Sequence, residues 1–130
     1  MSKFLSRSTE DDDVRRIFKT RWFAREARRF GIADGEPQMA INQLLKGQAD
    51  DLGGGVWKKR LSQNADRAIV LACSGGHFFF VFLFAKSDMA NIRRNELQAF
   101  RSLADQYAKF DEHCLSRLVR QGTLVEVKHD

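Results

Sequence analysis

The chain has 130 residues, 43% hydrophobic and 30% charged, which suits one domain able to bury an ordinary core without disulfides or metal. Its longest apolar runs, near Ala68 and Phe78, are far too short to span a bilayer, and Met1 to Leu5 has no apolar stretch of signal-peptide length, so a cytoplasmic protein is expected. The formal net charge of +5 is unevenly spread: Glu10, Asp11, Asp12 and Asp13 against Lys3 and Arg7 leave the first thirteen residues at −2 and the remainder at +7, which points to a polyanionic partner.

Residues 1–13 are polar, acidic and without period, and are read as a disordered leader before a single domain over 14–130. Val14 to Thr20 is expected to be a short strand. Thr20 can cap a helix reaching Phe30, since Phe23, Ala27 and Phe30 repeat at helical spacing and Gly31 ends the pattern. The reverse face of that helix carries Arg21, Arg25, Arg28 and Arg29, a basic stripe that can meet nucleic-acid phosphates or simply be solvated. Pro37 suits the start of a second helix, with Ile41, Leu44 and Leu45 as its apolar face, and residues 47–55 are read as the return to a sheet.

Three strand-like runs follow, at hairpin spacing. In the first, after the glycine triplet 53–55, alternation puts Val56, Lys58 and Arg60 on one face and Trp57, Lys59 and Leu61 on the other. The second runs from Arg67 to Cys73. The third, Phe78 to Phe84, is apolar at both parities, which requires both faces covered and a central place in the sheet. Arg67 enters the second run and Lys86 leaves the third, so both belong at one end of an antiparallel sheet, where Lys58, Arg60, Arg67 and Lys86 can converge.

Beyond the strands, Ser87, Asp88 or Asn91 can start a long helix with Leu97, Phe100, Ala104, Tyr107 and Ala108 as its stripe. Asp111 is expected to cap another, carrying Leu115, Leu118 and Val119 and ending at Gly122. Leu124 to Val127 is expected to add an edge strand. Cys73 and Cys114 fall on apolar patterns and are expected as two buried thiols, not a disulfide pair.

His77, His113 and His129 are isolated and no paired-cysteine spacing exists, so neither a metal nor another cofactor is expected. The glycine triplet precedes a strand and lacks the Lys-Ser/Thr of a nucleotide loop, and no Gly-x-Ser-x-Gly elbow occurs. What remains is the cationic group. Fixed positive charge suits phosphodiester cleavage, which gathers negative charge on the phosphorane oxygens and requires a proton to leave the attacking hydroxyl. Neighbouring cations disfavour protonation of a lysine, so Lys58, flanked by Lys59 and Arg60, can be the base.

Taken together, Ile17 to Ala24, Leu52-Gly53-Gly54-Gly55-Val56, Phe84-Ala85-Lys86-Ser87 with Asn91-Ile92, and Leu124 to Val127 resemble the RelE/ParE superfamily, and within it the HigB-type toxins of bacterial type II toxin–antitoxin modules. The resemblance runs from about Arg16 to Val127. It implies an α+β RelE-like fold, with two N-terminal helices on a twisted, mainly antiparallel sheet and C-terminal helices beyond it. It also implies a metal-independent mRNA endoribonuclease, in some cases ribosome-dependent, in which the ribose 2′-hydroxyl attacks the adjacent phosphate. A cognate helix-turn-helix antitoxin would silence it, and operator DNA would be met only through that antitoxin.

On this resemblance Lys58 is the candidate base, Arg60 and Arg67 are the phosphate clamp, and Lys86 stabilises leaving-group charge. Arg21, Arg25, Lys59 and Trp57 are the candidate RNA contacts, with Trp57 or Phe84 available to stack a base. Relatives often carry Gly-Tyr before the strand arginine, whereas this chain has Ala65-Asp66 before Arg67, a carboxylate that can tie up the guanidinium. That departure leaves two other readings open: a ParE-like inhibitor of DNA gyrase, and an inactive subunit that serves as a co-repressor with its antitoxin.

Overall fold

The structure is a computed structural model, and it describes residues 16–61, 66–73, 76–85 and 93–127. Within them one six-stranded sheet runs in the order β2-β3-β4-β5-β1-β6. Its strands are β1 (Ile17–Thr20), β2 (Asp50–Gly53), β3 (Val56–Arg60), β4 (Asp66–Cys73), β5 (His77–Ala85) and β6 (Leu124–Val127). Every neighbouring pair is antiparallel except β1 and β5, which are parallel. The acidic leader lies outside the described residues, as do Val14 and Arg15 of the first expected strand.

The phenylalanine run does what its composition demands. β5 lies between β4 and β1, and its alternate residues feed two separate cores. Phe78, Phe80 and Leu83 face α1 (Arg21–Arg29) and α2 (Glu36–Leu45), packing with Phe23, Ala27, Ala40, Ile41 and Leu44. Phe79, Val81 and Phe84 face α3 (Arg94–Tyr107) and α4 (Glu112–Arg120), packing with Ala104 and Leu115. The N-terminal helices thus cover one side of the sheet and the C-terminal helices the other. Phe79 and Phe80 are wholly buried, and truncating either to alanine removes about 3–5 kcal/mol.

Local signals set the helix ends. Thr20 Oγ1 accepts the Phe23 N–H at 3.1 Å, and Asp111 Oδ1 accepts the Cys114 N–H at 2.8 Å, so both expected caps are made. Three expectations need correction, and a fourth falls outside the described residues. Residues 50–53 are an edge strand, not a plain connection. Leu45 is exposed, and Ala40 takes its place on the buried face of α2. The described part of α3 begins only after Arg93, whose N–H donates to Glu96 Oε1 at 3.2 Å; Ser87, Asp88 and Asn91 lie outside the described residues. Cys73 and Cys114 are half-buried, although burial still pushes the Cys73 thiol up to about 11. Among the described residues, no helix is long and apolar enough to cross a membrane.

Candidate functional site

The site begins with a tight turn. Gly54 and Gly55 join β2 to β3 with φ of 64° and 83°, a region that disfavours side chains, and neither has room for one. A Cβ on Gly55 would stand 2.9 Å from the Ala72 carbonyl oxygen, and one on Gly54 would meet Arg101 Cγ at 2.7 Å. Arg101 reaches down from α3 and donates through Nε to the Gly53 carbonyl at 3.2 Å, with a further hydrogen bond to the Leu52 carbonyl. The glycine triplet therefore seats α3 on the hairpin and fixes where β3 starts.

From that start, alternation along β3 decides which side chains reach the site. Val56 is buried in the core under α3 and α4, so Lys58 and Arg60 emerge on that same face. The register carries the face sideways: Asp50 is opposite Lys58 on one side, and Arg67 is opposite Arg60 on the other. Residues directly opposite in an antiparallel pair share a face. Lys58 Nζ consequently lies 3.7 Å from Asp50 Oδ2, and Phe84, opposite Arg67 on β5, is buried beneath the cationic end.

Gln48, Ala49, Asp50, Lys58, Arg60 and Arg67 line one cavity of about 230 Å³. Its lining holds three cations and one carboxylate. Arg60 and Arg67 stand directly opposite each other across the strand pair, and Arg67 Nη1 donates to the Asp66 carbonyl at 3.5 Å. Two planar guanidinium groups on adjacent strands, in a concave site, offer the forked donors that suit a phosphate or another anion with several acceptor oxygens.

Three of the four expected catalytic residues are thus together, and Lys86 lies outside the described residues. The expected RNA contacts do not join them. Lys59 is only 6% exposed and lies on the opposite face, where Nζ donates to the Arg60 carbonyl at 2.7 Å. Burial lowers its pKa, the charges of Arg60 and Arg67 lower it further, and Glu36 opposes them. Sequence reasoning counted this cation as a surface group because nothing in Trp57-Lys58-Lys59-Arg60 marks which lysine the helices cover. Trp57 shares its face and packs, half-buried, against the core under α1 and α2. Arg21 and Arg25 are exposed on α1, with Arg21 Nε donating to the Gly122 carbonyl at 3.0 Å. Tyr107 stands between Phe79 and Phe110, with ring centroids 4.7 and 5.3 Å away.

Asp66 precedes Arg67, and strand alternation sends the two side chains to opposite faces. Burial raises the Asp66 pKa, against the pull of the Arg67 charge. Sequence reasoning missed Gln48 and Asp50. The signal available for them was the glycine triplet itself, which with Asp50-Asp51-Leu52 before it and Val56 after it marks a hairpin with two arms.

Searches of the curated proteins and of the solved structures each returned no match. A protein-family model described as the RelE toxin of the RelE/RelB toxin–antitoxin system matches residues 15–127, a span that takes in every described strand and helix. The α+β architecture, with its mostly antiparallel six-stranded sheet and four helices, is compatible with that family's fold. The chain belongs to the RelE family of toxin–antitoxin toxins.

Proposed function

We propose that this RelE-family toxin is an mRNA endoribonuclease of the HigB type, cutting by 2′-hydroxyl attack and thereby inhibiting translation, on or off the ribosome. The observation that carries the reading is the shared cavity of Lys58, Arg60 and Arg67. Arg60 and Arg67 grip the non-bridging oxygens of one phosphate, and their charge is most useful when the pentacovalent phosphorane carries most negative charge. Lys58 in its neutral form takes the 2′-hydroxyl proton. The 2′ oxygen bonds to phosphorus, the bond to the 5′ oxygen breaks, and the products are a 2′,3′-cyclic phosphate and a 5′-hydroxyl once the leaving oxygen is protonated. Lys86 is assigned to that leaving group by family likeness. The reaction as written draws on no metal ion.

Asp50 fits this scheme as a counter-charge. Its Oδ2 lies 3.7 Å from Lys58 Nζ, placed to stabilise the ammonium that forms once Lys58 has taken the proton. In this reading an antitoxin of helix-turn-helix type silences the protein, and any contact with operator DNA passes through that partner. The test is to induce the toxin without antitoxin in a bacterial host and map RNA 5′ ends. Discrete new mRNA ends that vanish with folded Arg67→Ala or Lys58→Ala protein support the proposal. Growth arrest with intact mRNA and relaxed plasmid DNA would replace it with gyrase inhibition, and normal growth on strong expression would replace it with an inactive co-repressor.

A further inference from the structure

Trp22 belongs to none of the groups discussed so far, yet it lies beside the cationic face. Pairing of β1 with β5 stops at Lys19↔Phe80, after which the chain turns into α1. Trp22 closes over the part of β5 beyond that point. Its ring lies almost parallel to that of Phe82, with centroids 5.1 Å apart and planes 7° from each other. Phe82 in turn contacts Phe84 and Phe100 at 6.0 and 5.9 Å, so the lower ring of the stack is held from two sides. Trp22 itself remains 37% exposed.

The sheet register ties this stack to the pocket. Lys58 is opposite Ile69, and Ile69 is opposite Phe82, so one cross-strand row runs from the candidate base to the ring beneath Trp22. The next row runs Arg60, Arg67, Phe84. Two strand spacings, about 10 Å, separate the ends of the first row. Arg25 follows Trp22 by three residues on α1 and is exposed near it.

We propose that Trp22 is a stacking platform for a nucleobase of the single-stranded RNA whose phosphate occupies the Lys58, Arg60 and Arg67 pocket, with Arg25 beside it to meet the neighbouring phosphate; this rests on the ribonuclease reading. A base has a π-face whatever its identity, so a rigid exposed indole binds it without strict sequence preference. Trp57 and Phe84, the aromatics expected for this task, are packed into the two cores, which leaves the task to a ring on the pocket's own side. Charge favours RNA over an apolar protein segment here, because the exposed surroundings on α1 include Arg21, Arg25 and Arg28, with Arg29 paired to Glu26 at 2.8 Å.

The test uses the full chain and ten-nucleotide 2′-O-methyl RNAs, which lack the attacking hydroxyl, with a single abasic site moved along the sequence. At one position, loss of the base should weaken wild-type binding by roughly 5- to 100-fold. Trp22→Ala should lose the same factor with the intact oligonucleotide and nothing more with that abasic one, while Trp22→Phe keeps most of the affinity. Additive losses at every position, or wild-type affinity in Trp22→Ala, would overturn the platform and leave the nuclease reading standing. The same result joined to loss of antitoxin binding would assign the ring to a protein partner. Failure of wild-type protein to bind any of the RNAs, free or carried on ribosomes, would overturn the nuclease reading and the platform with it.

Discussion

Two arginine clusters occupy the same face of the sheet at opposite ends, and they are built on opposite rules. At the end where β5 begins, Arg16 is matched to carboxylates. It makes paired hydrogen bonds to Glu126 at 2.7 and 2.8 Å and a third to Glu112 at 2.7 Å, and it lies 4.9 Å over the Phe18 ring. His77 also contacts Glu112 at 2.7 Å, so the cluster ties together the start of β1, β5, β6 and α4. At the end where β5 finishes, Arg60 faces Arg67 across a strand pair, and among the described residues the carboxylate lining their cavity is Asp50, which lies by Lys58. Matched charge holds the fold together. Gathered like charge lines the cavity on which the proposed function rests.

Breaking the second cluster should produce the largest effect. Under the proposed function, Arg67→Ala lowers the RNA cleavage rate by roughly 10²–10³-fold, the usual consequence of removing a group that stabilises transition-state charge. Its melting temperature should change far less than its rate, since Arg67 is only part-buried near the start of β4. Breaking the first cluster should do the reverse: Arg16→Met costs about 2–3 kcal/mol in a urea unfolding titration, since two partly buried charge-assisted contacts are lost, while cleavage per folded molecule is unchanged.

Titration sharpens the contrast. Lys59, buried between the pocket strand and α2, has a pKa lowered from its ordinary 10.5, so the unfolded chain binds more protons than the native one between the two values. Stability should therefore rise with pH through that window, and Lys59→Met should flatten the rise in unfolding titrations taken from pH 7 to 11. Glu112 behaves oppositely. Hydrogen bonding to Arg16 holds its pKa below the usual 4.5, so its contribution is complete above 4.5 and disappears as pH falls through the native value. The carboxylate is mostly exposed, so Glu112→Gln should cost no more than about 1 kcal/mol at pH 7 and nothing at pH 2.

How much of this could be read from the chain depends on how local each signal is. The run from Phe78 to Phe84 announces a central strand because no half-exposed strand tolerates seven consecutive apolar residues. Thr20 and Asp111 announce helix starts because capping is decided within four residues. β2 was illegible as a strand because Asp50-Asp51-Leu52-Gly53 offers no β-branched residue, and an edge strand earns its place by pairing alone. With it went Asp50, the carboxylate of the pocket. The face shared by Lys58 and Arg60 was legible from alternation, and the place of Arg67 from the hairpin order. The burial of Lys59 was not, because it depends on which face the helices α1 and α2 cover.

The central claim is that Lys58, Arg60 and Arg67 act together on one RNA phosphate. The most direct measurement is the set of products formed from a defined single-stranded or ribosome-bound mRNA by purified wild-type protein and by folded Arg67→Ala protein. The account predicts fragments ending in 2′,3′-cyclic phosphate and 5′-hydroxyl from the wild type, and intact RNA from the variant at equal concentration. Equal cleavage by both proteins would contradict it.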